Sequence, residues 1–301
     1  MANEVTGKTL KLFVNAVEQA VTKVGFDRNF TLLDSTTSAT VAPGMESVAG
    51  RAKSTINIEA PLLTALGAEI VTGTLTAGTK YLVTGGTIGT HAIGTIFTSD
   101  GTETASATNK AKPLGTMATG KDLAVTISGS TFACTDADYN VNYTELDSTT
   151  TGTASPNMEA VAGRAKITTK FDAIMYRATA DLITNSAPVP VPIVLTLGSG
   201  ITVTGNAILH QMQITDEYNG ICKVTYNAEW QGMPVEVGVG YLTLATLQTA
   251  DITYEAGAIT DKGVTGNVML LTKAITSTVA AEAKIVYTGV WNGAITPTIY
   301  A

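Results

Sequence analysis

The chain has 301 residues, enough as a soft prior for about two domains. Only 14% of the residues are charged, against roughly 25% in ordinary soluble proteins, so much of the surface is expected to be covered by partners. A formal charge of −7 without a basic patch argues against tight binding to nucleic-acid phosphates, because an acidic surface repels DNA.

The 29 glycines and threonine-rich runs such as Ala124-Val125-Thr126-Ile127 favour strands and turns. Met1 to Glu4 lacks a basic leader with an apolar run behind it, and no apolar stretch reaches ~18 residues. Neither a signal peptide nor a membrane span is therefore expected. Leu10, Leu12 and Val14 alternate with polar residues, as in a half-buried strand. Ala16 to Lys23 is ambiguous between helix and strand. Thr31 to Leu33 runs into a polar loop from Ser35, and Arg51 to Glu59 alternates again, with Ile56 and Ile58 on one face. Pro61 to Ile70 carries Leu62, Leu63, Leu66 and Ile70 at helical spacing, so a short flanking helix is expected there. Ile174 to Ile183 reads as its counterpart.

Residues 71 to about 117 read as a small Gly/Thr-rich β module. Its strands are predicted at Ala77–Thr84 and Gly94–Thr98, with turns at Gly85-Gly86 and Ser99-Asp100-Gly101. Ser186 to Pro192 is a stiff, proline-rich connector. Further strands are predicted around Ile193–Leu197, Ala207–Ile214 and Gly220–Trp230, and again from about Ile252 to the end. Cys134 and Cys222 lie in β-like stretches and read as buried free thiols in a reducing compartment.

The chain also repeats itself twice. Asp34-Ser35-Thr36-Thr37 with Gly50-Arg51-Ala52-Lys53 returns as Asp147-Ser148-Thr149-Thr150 with Gly163-Arg164-Ala165-Lys166, an offset of 147 − 34 = 113. Thr204-Gly205-Asn206 with Trp230-x-Gly232 returns as Thr265-Gly266-Asn267 with Trp291-x-Gly293, an offset of 265 − 204 = 61. The order front, front, back, back reads as one copy of a domain inserted inside another. The expected division is an outer domain of residues 1–70 and 237–301, an inserted module at 71–119, and an inner domain at 120–236.

Few residues suggest chemistry. Gly7-Lys8-Thr9 loosely fits a phosphate-binding loop, but no strand precedes it, and its counterpart has Asp122 where a hydroxyl should bind Mg²⁺. His91 and His210 lack partners at metal-ligand spacing. No catalytic residue, cofactor or metal site is predicted. Asp34, Glu46, Asp147 and Glu159 lie beside the Gly-Arg turns, and pairing with Arg51 and Arg164 would fix loop geometry. Trp230 and Trp291 hold equivalent places and suit core or subunit-contact packing. These eight residues are the candidates for an assembly role.

The run from Asp147 to Ala154, Gly163-Arg164-Ala165-Lys166, Gly198 to Leu209 and Val224-Thr225-Tyr226 before Trp230-Gln231-Gly232 resembles the major tail-tube proteins of long-tailed bacteriophages. The resemblance covers most of residues 120–236 and, more weakly, the outer copy. It implies a mainly β fold of two β-sandwich or barrel domains, each with a flanking helix and a long loop. It further implies trimeric, pseudo-hexameric rings stacked into a tube that conducts DNA without specific binding. The implied partners are further copies of the chain and tail terminator, tape-measure and tail-tip proteins; the implied location is the virion tail, after assembly in the host cytoplasm. The loops Ser35–Gly44 and Ser148–Asn157 would make ring-to-ring contacts. Alternatives are a capsid decoration or head-fibre protein, or a carbohydrate-binding adhesin using exposed aromatics such as Tyr81 or Trp230.

Overall fold

The computed structural model describes residues 10–34, 47–63, 67–116, 118, 120–150, 157–174, 189–215, 222–240, 242–256, 259–279 and 281–297. These residues are mainly β. The first strands are β1 (Lys11–Val14), β2 (Val17–Gln19), β3 (Lys23–Asp34) and β4 (Ser47–Pro61). Seven short strands follow: β5 (Gly73–Thr74), β6 (Lys80–Gly85), β7 (Thr87–Ile88), β8 (His91–Ala92), β9 (Ile96–Thr98), β10 (Thr104–Ala105) and β11 (Lys110–Pro113). Then come β12 (Ala124–Ile127), β13 (Ser130–Asp147), β14 (Ala160–Ile174), β15 (Val191–Gly198), β16 (Ile201–Thr215), β17 (Lys223–Trp230) and β18 (Val235–Val237). The last are β19 (Leu247–Ala256), β20 (Ile259–Thr278) and β21 (Lys284–Pro297).

Fourteen of these strands form one antiparallel sheet that closes on itself in one circuit and, through the chain between β2 and β3, nearly does so in a second. In one circuit the pairing runs β12–β15–β16–β17–β14–β13 and returns to β12. In the other, β1 pairs with β19, followed by β20, β21, β4 and β3, and β2, just ahead of β3 in the chain, pairs back onto β1. Closing a sheet leaves few unpaired backbone edges.

The pairings recur at the offsets of the sequence repeats. Leu12 faces Gln19, and Val125 faces Phe132. Thr55 faces Val290, and Thr168 faces Glu229. Even the irregularities match. The register shift between Phe30 and Leu32 recurs between Tyr143 and Glu145, and that between Leu209 and Gln211 recurs between Leu270 and Thr272. One departure is the strand pair β15 and β19, offset by 253 − 196 = 57, because the β19–β20 hairpin is longer: Thr253 pairs with Gly263 where Thr196 pairs with Thr202.

The core follows from strict alternation. β17 alternates along its whole length, burying Val224, Tyr226, Ala228 and Trp230. One apolar cluster runs through both circuits, from Leu12, Ile56 and Ile58 to Tyr139, Phe171 and Tyr226. Each such side chain, fully buried, contributes about 1.5–3 kcal/mol. The module has its own small core of Leu75, Tyr81, Val83, Ile88, Phe97, Ala105 and Ala111. Its β6 and β9 fall in the two stretches expected as strands, and β6 pairs with both β9 and β11.

One expectation about a helix needs correction. Residues 61–63 and 67–70 are not helical. Pro61 ends β4, Leu62 donates its N–H to Ala283 O at 2.9 Å, and Ile70 bridges to Ala111. Leu62 and Leu63 are buried by these extended contacts, so tertiary pairing overrides the helical spacing. Residues 64–66 lie outside the described set, as does most of the counterpart at Ile174–Ile183. The ambiguous stretch from Ala16 resolves as a turn, β2 and the start of β3. Neither cysteine is in a disulfide. Cys134 is buried, its thiol pushed up to about 12 by desolvation, and Cys222 is half-buried.

Candidate assembly joint

The two circuits are joined by one strand pair. Asp136 to Asn142 of β13 run antiparallel to Thr278 to Thr272 of β20, with Tyr139 opposite Ile275 and Val141 opposite Lys273. The sheet therefore continues from β17 through β14, β13, β20 and β21 to β4 and β3.

Three contacts secure this joint. At its centre is a polar cluster. Lys273 is 5% exposed and forms an ion pair with Glu236 of β18, and its ammonium lies 5.7 Å from the Tyr139 ring centre. The Tyr139 hydroxyl donates to Glu236 Oε1 at 2.5 Å. Burial, then this bond, pushes the Tyr139 hydroxyl well above its usual pKa. Beside the cluster, Ala160 packs with Met269, Leu271 and Val290, with Tyr143 against them. The third contact is a clamp. Asn292 Oδ1 accepts the Ala160 N–H at 2.7 Å while Nδ2 donates to Ala160 O at 2.8 Å, and the Gly293 N–H donates to Met158 O. The β13–β14 hairpin thus lies over the first circuit. There Lys53 pairs with Glu145 at 2.6 Å and Arg28 donates to Asn157 at 3.1 Å.

One face of the continuous sheet is polar. A single row across it reads Asn227, Lys170, Asp138, Thr276 and Lys284. Neighbouring rows add Asp136 opposite Asp172, and Asn142 opposite Thr272. Burial, and then Asp138 and Asp172, raise the Asp136 carboxyl above its usual value.

The predicted site residues divide into three groups. The tryptophans are core. Trp230 is 4% exposed and meets Tyr139 edge-on at 6.3 Å; Trp291 is 3% exposed and meets Phe26 edge-on at 5.9 Å. Each covers a glycine, since a Cβ on Gly205 or Gly266 would meet the indole at 3.3 and 3.1 Å. The loop carboxylates behave differently from expectation. Asp147 takes the Thr149 N–H at 2.8 Å, and the Thr149 bonds, with Arg51 adding a smaller effect, hold its carboxyl below the usual range. No ion pair joins Arg51 or Arg164 to a carboxylate among the described residues; the ion pairs there all use lysine. Among the described residues both arginines are held instead through their backbone carbonyls, and the expected pairing of Arg51 with Glu46 lies outside those residues. Thr31 and Thr144 hydroxyls donate to Arg51 O and Arg164 O; Glu159 O accepts the Ser148 N–H and the Thr149 hydroxyl, and the Glu159 N–H donates to Thr149 Oγ1. Asp34 pairs in β3 with Ser47 of β4. Glu46 and the loop Ser35–Gly44 lie outside the described residues, as do residues 151–156 of the second loop.

The exposed aromatics invoked for an adhesin are not exposed. Tyr81 is 2% exposed, with its hydroxyl accepting the Thr76 N–H, and Trp230 is core. His91 stacks on Phe97 at 4.1 Å, and His210 is exposed on β16. Among the described residues, no group of three or more His, Cys, Asp or Glu is placed to hold a metal ion, and no helix is long and apolar enough to cross a membrane.

What the sequence reading missed is the polar cluster. Glu236 and Lys273 lie outside the repeated motifs, and only the strand register brings them to Tyr139. A scan against protein-family models finds no match, and no curated protein matches the chain.

Proposed function

We propose that this chain is a structural subunit that assembles into a tube, of the kind that long-tailed bacteriophages use to conduct DNA through the tail. In this reading it consists of two copies of one domain, 1–70 with 237–301 and 120–236, and the 71–119 module projects from the first. The observation that carries the reading is the recurrence of strand register and bulges at the repeat offsets, with the two circuits joined edge to edge in one sheet. A pair of like units joined by a strand pair is already a segment of a ring. Three chains would supply six units. Self-association, with tail terminator, tape-measure and tail-tip proteins at the ends, follows from the tail-tube resemblance.

The polar face of the sheet suits the bore. Threonine, asparagine and charges of both signs give a hydrated surface with no continuous basic patch, so DNA is not held by phosphate contacts. The short apolar supply on that face also argues against its burial by another subunit.

Electron microscopy of the purified chain, with light scattering for mass, tests the proposal. Stacked rings of three chains are expected. Rings of six would remove the trimer and keep the tube. A discrete trimer that never stacks would favour a decoration or head-fibre protein. A stable monomer at high concentration would overturn the reading.

A further inference from the structure

The internal joint uses one edge from each circuit, and each circuit has the matching edge left over. The β13 edge that meets β20 corresponds, at the 113 offset, to Lys23–Asn29 of β3. Among the described strands, β3 pairs with β4 alone. The β20 edge corresponds, at the 61 offset and within the described residues, to Gln211–Thr215 of β16. Those described residues pair with β17 on one side and with no described strand on the other. We infer that β3 of one copy adds to β16 of a second copy of this chain, antiparallel, in the register of the internal joint.

That register is specific. Tyr139 opposite Ile275 becomes Phe26 opposite Ile214, and Asn140 opposite Ala274 becomes Asp27 opposite Gln213. Exposure agrees with it. Ile275 is fully buried inside the joint, whereas Ile214 is 52% exposed, and Phe30, the counterpart of the packed Tyr143, is 45% exposed. The clamp has a counterpart too. Asn292 becomes Gln231, an exposed amide placed to bond the backbone of the partner copy's Ser47 as Asn292 bonds Ala160.

The two joints differ at the centre. Lys273 over Tyr139 becomes Met212 over Phe26, so the joint between copies is apolar where the internal one is a buried ion pair. An apolar contact exposes no uncompensated charge when the copies are apart, which suits a joint that must form after folding. The contact is heterologous: one edge meets a different edge, so it builds rings or filaments rather than a closed two-fold pair.

The inference rests on the self-assembly reading and not on the bacteriophage resemblance. In a Cys222→Ser background, the full chain carrying both Asp27→Cys and Gln213→Cys is oxidised and run without reductant. A ladder of linked copies is expected, because facing residues lie within disulfide reach. Each single variant, and the pair Asp27→Cys with Thr215→Cys two residues out of register, should stay unlinked. A single variant that dimerises would mean a two-fold contact and overturn the inference. Rings without a ladder would overturn it and leave the self-assembly reading standing; neither rings nor ladder would overturn both. Ile214→Lys, on an exposed position, should keep the melting temperature and cut the assembled fraction by at least about tenfold. Unchanged assembly would count against this edge.

Discussion

Residue by residue, equivalent positions of the repeated segments meet the same local problems with different side chains. The turn between β12 and β13 is Ser128-Gly129, with φ of 48° and 88°, the two-residue geometry that suits the twist of a hairpin. Its counterpart is Asn15-Ala16, with φ of 50° and 62°. Asn15 tolerates this conformation, and its Oδ1 takes the Thr249 N–H at 3.1 Å. Ala16 does not, since its Cβ crowds the backbone in the left-handed region. Ala16→Gly should therefore stabilise the fold by about 0.5–1 kcal/mol after the entropic cost of glycine. Urea unfolding measures it, and a destabilised variant would show that the turn is not strained. Asp136 faces Asp172 across the strands with Asp138 nearby, and like charges so placed oppose each other. Its folded pKa is raised above 3.8, so the folded state is penalised at pH values above the raised value. The penalty fades as the pH falls through that value towards 3.8. Asp136→Asn should raise the melting temperature at pH 7, with a gain that shrinks towards pH 4. A gain independent of pH would exclude the electrostatic cause.

Among the elements, β13 and β20 decide the architecture, and the cluster of Tyr139, Glu236 and Lys273 decides how firmly they join. Lys273 is almost fully buried, and Glu236 is the carboxylate paired with it. Removing one partner of a buried pair costs about 3–5 kcal/mol, because the other charge is left uncompensated, whereas replacing the whole pair by apolar side chains of similar size is often tolerated. Because Glu236 is partly exposed, the lower figure applies to Glu236→Ala. Lys273→Met places at this joint the residue that β16 already carries at position 212; the carboxylate it leaves is partly exposed and keeps the Tyr139 bond, so it should cost less than Glu236→Ala, which strands a buried ammonium. Thermal unfolding of both variants decides the matter. Equal losses would mean that the cluster acts through packing and not through its charge.

For the whole molecule, the continuous sheet and the shared apolar cluster tie the circuits into one cooperative unit. Calorimetry of the unassembled chain should give one main transition, with a calorimetric to van't Hoff enthalpy ratio of about 1. Two separable transitions would mean that the β13–β20 pair is a weak contact between independent domains. The same continuity makes the polar face a single surface, as a channel lining needs to be.

Reading the sequence alone reached β1, β4, β15, β16 and β17, the module strands β6 and β9, and the matched sets of segments at offsets of 113 and 61. Copying a segment preserves its alternation and its turn residues, and both are local properties. The tryptophans were legible as packing residues for the same reason, since a large ring in an alternating strand has one buried side. The helix at 61–70 was misread because apolar spacing is local while the pairing of Leu62 with Ala283 is not. Among the described residues Arg164 forms no ion pair with Asp147 or Glu159, because two residues near in sequence need not face each other once the hairpin is formed. Tertiary structure alone decided which strands close each circuit, which edge joins the circuits and that Lys273 is buried against Glu236. Strand register is set by pairing between distant segments, and no single segment carries that information.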